Sequence, residues 1–108
     1  MLVISPDTLD VEPRHPQVLH SEDSQRTIAI ALTTGEQLQE HQTRERAYVL
    51  VVVGRVAVAQ PDGSTVTLGP GGGAIFEPGE RRELTAEEDA KLVMLLTPWP
   101  APDHQTAR

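Results

Sequence analysis

Ala47-Tyr-Val-Leu-Val-Val-Val53, stopped by Gly54, is the stretch on which the fold turns. It is built mostly of valine, and β-branched side chains pack best on a pleated surface. It falls far short of the roughly 20 apolar residues that a membrane-spanning helix needs. It therefore reads as a strand with apolar residues on both faces, one lining a core and the other covered by a second sheet or a second subunit. Downstream, Arg55-Val-Ala-Val-Ala-Gln60 alternates, with Val56 and Val58 on one side, and Pro61-Asp-Gly63 supplies a hairpin turn. Residues 64–68 form another short strand. Gly69-Pro-Gly-Gly-Gly73 reads as a flexible loop, and Ala74-Ile-Phe76 as a strand that ends before Pro78-Gly79. Thr85-Ala-Glu-Glu-Asp89 reads as a polar turn or a single helical turn, and Lys91-Leu-Val-Met-Leu-Leu-Thr97 as the last strong strand. Upstream, Thr27-Ile-Ala-Ile-Ala-Leu-Thr33 is a strand ended by Thr34-Gly35, and residues 37–44 are polar.

No segment keeps a 3.6-residue period, while strands and turn signals recur every 8–12 residues or so. That pattern predicts an all-β sandwich or closed barrel, and barrel mouths are common ligand sites. Pro6, Pro13 and Pro16 break any helix near the start, so residues 1–25 are expected as an extended arm or edge strands. Residues 26–97 form the barrel core, and 98–108, with Pro98, Pro100 and Pro102, a proline-rich tail.

At 108 residues the chain makes one domain. It has no cysteine, which excludes disulfides and thiolate zinc sites. Its first residues have neither the basic start nor the long apolar region of a leader, so a cytoplasmic protein is expected. The formal net charge is −7, with 9 Lys plus Arg against 16 Asp plus Glu. Nucleic-acid binding needs a concentrated basic footprint. Here the basic residues form only the pairs Arg44/Arg46 and Arg81/Arg82, each beside a glutamate. Tyr48, Phe76 and Trp99 are the only aromatics, too few for a base-stacking platform. Neither nucleic acid nor a membrane is an expected partner.

Two stretches together resemble the paired motifs of the cupin superfamily, in particular its small single-domain bacterial members. The first family motif is Gly, five residues, His-x-His, three or four residues, Glu, six residues, Gly. It reads here as Gly35-Glu-Gln-Leu-Gln-Glu-His41-Gln-Thr43-Arg-Glu-Arg-Ala47 and on to Gly54. The second, Gly then Pro-x-Gly, two residues and His, reads as Gly73-Ala-Ile-Phe-Glu-Pro78-Gly79-Glu-Arg-Arg82. The resemblance implies a jelly-roll β-barrel, also called a double-stranded β-helix. In metal-binding cupins three histidines and a glutamate from these motifs hold one divalent ion. By position only His41 survives here; Thr43, Ala47 and Arg82 stand at the other three. Arginine keeps its proton and cannot ligate. No metal and no cofactor are therefore expected, although Glu45 reaches the site if a bulge shifts the register.

The candidate ligand-binding residues are thus His41, Thr43, Ala47 and Arg82. His41 is either a polar barrel residue bonded to Thr43 or a backbone carbonyl, or a ligand contact. Arg82 either pairs with Glu77, Glu80 or Glu83 at the rim, or faces the pocket as a receptor for carboxylate or phosphate. The glycine run lacks the lysine and helix of a phosphate loop. His15, His20 and His104 have no partners at useful spacing, and Trp99 is read as packing over a barrel end or a subunit contact. These residues favour a metal-free binding or accessory protein that takes a small organic, possibly anionic, molecule in its barrel. The alternatives are a metal-independent isomerase or epimerase with His41 as general base and, less favoured, a metal-dependent dioxygenase-like cupin. A homodimer is expected, covering the outer face of residues 47–53, with Leu2-Val-Ile4 as a candidate exchanged strand.

Overall fold

The computed structural model describes residues 1–22, 24–40, 45–60 and 62–98, with the backbone alone at Gln39, Glu40 and Arg82. These residues form the strands β1 (Gln17–Glu22), β2 (Gln25–Leu32), β3 (Gln37–Glu40), β4 (Arg46–Val53), β5 (Val56–Ala59), β6 (Thr65–Leu68), β7 (Gly73–Phe76), β8 (Arg82–Ala86) and β9 (Ala90–Thr97). They lie in two antiparallel sheets, a five-stranded one ordered β1-β2-β9-β4-β7 and a four-stranded one ordered β3-β8-β5-β6. This is the all-β jelly-roll architecture expected from the sequence. The two sheets close on each other by side-chain packing, not by one continuous ring of hydrogen bonds. No helix among the described residues is long and apolar enough to cross a membrane.

Period-two alternation builds the core. On β4, Ala47, Val49 and Val51 point inward and are buried, while Tyr48 and Leu50 between them are 38% and 45% exposed. On β9, Leu92, Met94 and Leu96 face the same interior, and Val56, Val58, Leu84 and Ala86 meet them from the opposite sheet. Each such large apolar side chain contributes about 1.5–3 kcal/mol on burial.

The outer face of the five-stranded sheet is divided. A turn at Ser5 and Thr8, held by Leu9 N–H to Ser5 O at 3.0 Å, swings the N-terminal arm across it. Leu9 and Val11 then pack on Ala29, Ala31, Val93 and Val52 as a second small core. Lys91 Nζ ties the arm down by donating to the Leu9 carbonyl at 2.8 Å. The other half of that face, around Tyr48, Leu50 and Ile75, has no such cover among the described residues, and Ile75 is 57% exposed.

Three expectations need correction. Thr85 and Ala86 close strand β8 instead of opening the polar turn, because Leu84 and Ala86 alternate inward and the strand pairs with β3 and β5. Residues 37–40 are strand β3, whose single apolar residue Leu38 packs on the core. The glycine run is not a loose loop. Gly73 belongs to β7, and a Cβ there would sit 2.6 Å from the Val49 carbonyl oxygen. Gly71 N–H and Gly72 O bond the O and N–H of Val51, both at 2.9 Å. Only glycine lets the chain run this close to β4.

Candidate functional site at one end of the barrel

The ends of β3 and β7 and the starts of β4 and β8 meet at one end of the barrel. Glu40, the last residue of β3, pairs with Arg82, the first of β8. Ala47 pairs with Phe76 on one side and Leu96 on the other. This end is the mouth. His41 and Thr43, in the connection from β3 to β4, lie outside the described residues. The backbone position of Arg82 is in step with Leu84 and Ala86, whose side chains are buried. Ala47 is fully buried and packed in the core. Its methyl offers neither a donor nor a metal ligand at the position where metal-binding cupins carry glutamate.

A charged residue does enter at this end, two positions earlier. Glu45 continues the inward alternation of Ala47, Val49 and Val51 and is only 1% exposed. It is the single buried charged side chain among the described residues. No bulge is needed to bring it in; plain period-two geometry does so. In the sequence it sits between Arg44 and Arg46 and looks like part of a solvated charge run. Counting back in twos from Val51 is the signal that finds it.

The rim is organised by ion pairs and turns. Arg46 donates through Nε and Nη2 to Glu77 Oε1 at 2.9 and 2.8 Å, which raises the pKa of its guanidinium. Glu80 Oε1 accepts the Glu77 N–H at 2.9 Å and so braces the turn between β7 and β8. Glu77 and Glu80, two of the rim partners considered for Arg82, thus have these other bonds. At the neighbouring β5–β6 hairpin, Ser64 Oγ–H and N–H both donate to Asp62 Oδ1, at 2.6 and 2.9 Å. Those bonds hold the Asp62 carboxyl below the ordinary carboxylate range. Among the described residues no three His, Asp or Glu side chains gather where they would hold a metal ion.

No family model and no curated protein matches the chain. Solved structures do match. One is an uncharacterized conserved protein with a double-stranded β-helix domain from Klebsiella pneumoniae, at 19% identity and TM-score 0.76, covering 92% of this chain and 91% of that one. Another is a cupin superfamily protein from Desulfitobacterium hafniense, at 12% identity and TM-score 0.71 over 82% of each chain. A third is KdgF from Halomonas, at 21% identity and TM-score 0.71, over 82% of this chain and 84% of that one. At these identities the likeness is one of fold. The chain has the cupin double-stranded β-helix.

Proposed function

We propose that this cupin-fold chain binds a small organic molecule at the mouth of its barrel, without a metal ion. The observation that carries the reading is Glu45, a carboxylate buried on the inward side of β4. Stripping water from a carboxylate costs several kcal/mol unless hydrogen-bond donors or a cation replace it. In this reading Arg82, at the start of β8, and His41, in the β3–β4 connection, would add a guanidinium and an imidazole to that carboxylate. That set suits a ligand bearing a carboxylate or phosphate for Arg82 and a hydroxyl for Glu45, such as a small hydroxy acid. Ala47 and Arg82, at two of the four metal-ligand positions, supply no ligand, and a permanent positive charge opposes a cation there.

The test is a titration of glycolate, acetate and inorganic phosphate into the isotopically labelled protein, followed by its amide signals. Glycolate is expected to shift amides of residues 45–49 and 76–83, and to bind at least about tenfold more weakly to Arg82→Ala and to Glu45→Gln. If no probe shifts those amides, or both variants bind as well as the parent, the reading fails. Elemental analysis of protein purified without added metal is expected to give well under one equivalent of transition metal. Near-stoichiometric Fe, Mn, Ni or Zn that survives dialysis refutes the metal-free part.

Glu45 also favours a second reading, a metal-independent isomerase or epimerase. Such chemistry needs a base and an acid on opposite sides of one carbon, and His41 with Glu45 would supply that pair. Exchange of the α-proton of a bound 2-hydroxy acid with solvent deuterium, abolished in His41→Gln, separates an enzyme from a binding protein.

The bare half of the outer sheet face supports a homodimer. Tyr48, Leu50 and Ile75 stand on the same sheet face that the arm covers elsewhere, and an apolar patch of this kind gains from burial against a second copy. Light scattering giving a mass near that of one chain, 11.8 kDa, at micromolar concentration would rule it out.

A further inference from the structure

A second cavity lies on the side of the barrel. β6 and β7 follow each other in the chain but belong to different sheets, so no ladder joins them. They leave a common turn, residues 69–72, which is fastened to Val51 of β4 by the two backbone hydrogen bonds described above. From that closed end the strands splay apart, and the space between them is a half-enclosed cleft of about 250 Å³. Val58 and Phe76 form its floor, Leu68, Ala74 and Val66 its walls, and Glu80 stands at its open end with Gln60. Val58 and Phe76 are buried core residues, whereas Val66 is exposed, so the cleft runs from solvent to the core.

The chemistry of the lining is one-sided. Among the described residues Glu80 is its only charged group. One oxygen of that half-buried carboxylate accepts the Glu77 N–H, and no cation among the described residues forms an ion pair with it. Gln60 is neutral, and its side-chain oxygen lies 2.8 Å from Ser64 Oγ. The chain as a whole carries a net charge of −7, whose field draws cations toward such a carboxylate.

We propose that this cleft binds a small organic cation, an ammonium group on a compact aryl or alkyl body. The ammonium group meets Glu80 and the apolar body lies on Val58 and Phe76. The cavity corresponds to about eight water volumes, which suits a molecule of one ring and a short chain. The cleft uses none of residues 41–47, although Phe76 and Glu80 also border the mouth.

The probes are 2-phenylethylammonium, the neutral 2-phenylethanol and the anionic phenylacetate, each titrated into the isotopically labelled full chain. The ammonium is expected to give saturable shifts in amides of β6, β7 and residues 77–80, with the alcohol at least about tenfold weaker and phenylacetate weaker still. Glu80→Gln keeps an oxygen for the Glu77 N–H and is expected to bring the ammonium's affinity down to that of the alcohol. Val66→Trp, a change at an exposed wall position, fills the cleft and is expected to remove binding of all three while the rest of the amide spectrum is retained. The proposal is overturned if the three probes bind alike, if Glu80→Gln leaves the ammonium's affinity unchanged, if Val66→Trp still binds, or if the shifts fall elsewhere or do not saturate. Val66 lies outside the residues of the mouth, so Val66→Trp is expected to leave glycolate binding unchanged, and that variant tells the two sites apart.

Discussion

The two ends of this barrel use their polar residues in opposite ways. At the end away from the mouth they are tied to one another. Thr34 donates through N–H and Oγ1 to Asp89 Oδ1 at 2.8 and 3.0 Å, and Thr33 donates through the same two groups to Glu36 Oε1, both at 2.7 Å. Arg55 spans Glu87 and Glu88 at 3.0 and 3.1 Å, and Arg14 brings the N-terminal arm to Glu36. Gly54 lets the β4–β5 turn lie directly against the backbone of Asp89 and Ala90. At the mouth, short pairs such as Arg46 with Glu77 hold the rim, while Glu45 turns inward. One end ties its polar groups to one another, and the other encloses a carboxylate.

The largest effect is expected at the closed end. Gly54 has φ of 84°, and a Cβ there would overlap the Asp89 carbonyl oxygen and come within 2.8 Å of Ala90 Cα. Because both obstacles are backbone, neither can rotate away. Gly54→Ala should destabilise the fold by about 3 kcal/mol or more, combining left-handed strain with overlap. Denaturant unfolding measures this, and a loss below about 1 kcal/mol would mean that the turn is free to move.

A smaller effect is expected from acid. The backbone N–H of Thr33, then its hydroxyl and Arg14, hold Glu36 below the ordinary carboxylate range, and Thr34 does the same for Asp89. Groups with a lowered folded pKa stabilise the fold above their unfolded value, and that contribution disappears as pH falls through the folded value. The closed end should therefore loosen first as pH falls below the ordinary carboxylate range, with hydrogen-exchange protection of the Thr33 and Thr34 amides lost before that of Val49 or Leu92. Asp89→Asn should remove much of the pH dependence at Thr34. Equal loss of protection at all four amides would contradict a locally tied end.

The smallest effect is expected at the rim. Arg46 and Glu77 are both largely exposed, and surface pairs of this kind are screened by solvent. Arg46→Ala should leave the thermal midpoint within error of the parent while Glu45→Gln still changes glycolate binding. A large loss of stability in Arg46→Ala would show that the rim pair is structural and that the two ends are more alike than described.

Most of the architecture was legible because period two is written in apolar residues wherever a strand is rich in them. β2, β4, β5 and β9 all announce themselves this way. β8 did not, since Arg82-Glu-Leu-Thr-Ala86 has only two apolar positions and its partners lie far away in the chain. Of the candidate site, counting along the motifs singled out positions 47 and 82, and the backbone pairing sets both at the same end of the barrel. Glu45 was passed over as a ligand unless a bulge intervened, because its neighbours in sequence are arginines and its neighbours across the barrel are not visible in one dimension.

The sequence by itself determined the all-β class, the turns, the glycine at Gly54 and which face of each rich strand points inward. Those follow from local rules of backbone geometry that each segment obeys alone. Only the tertiary structure decided which outward residues are covered and which polar residue is enclosed. Val52 and Leu50 are both outward residues of β4, yet Val52 packs beneath the N-terminal arm and Leu50 is left exposed. Glu45 and Arg46 are adjacent, yet one is buried and the other pairs at the rim. Alternation assigns a face, but burial requires a second segment to lie over it, and that depends on where a distant part of the chain comes to rest.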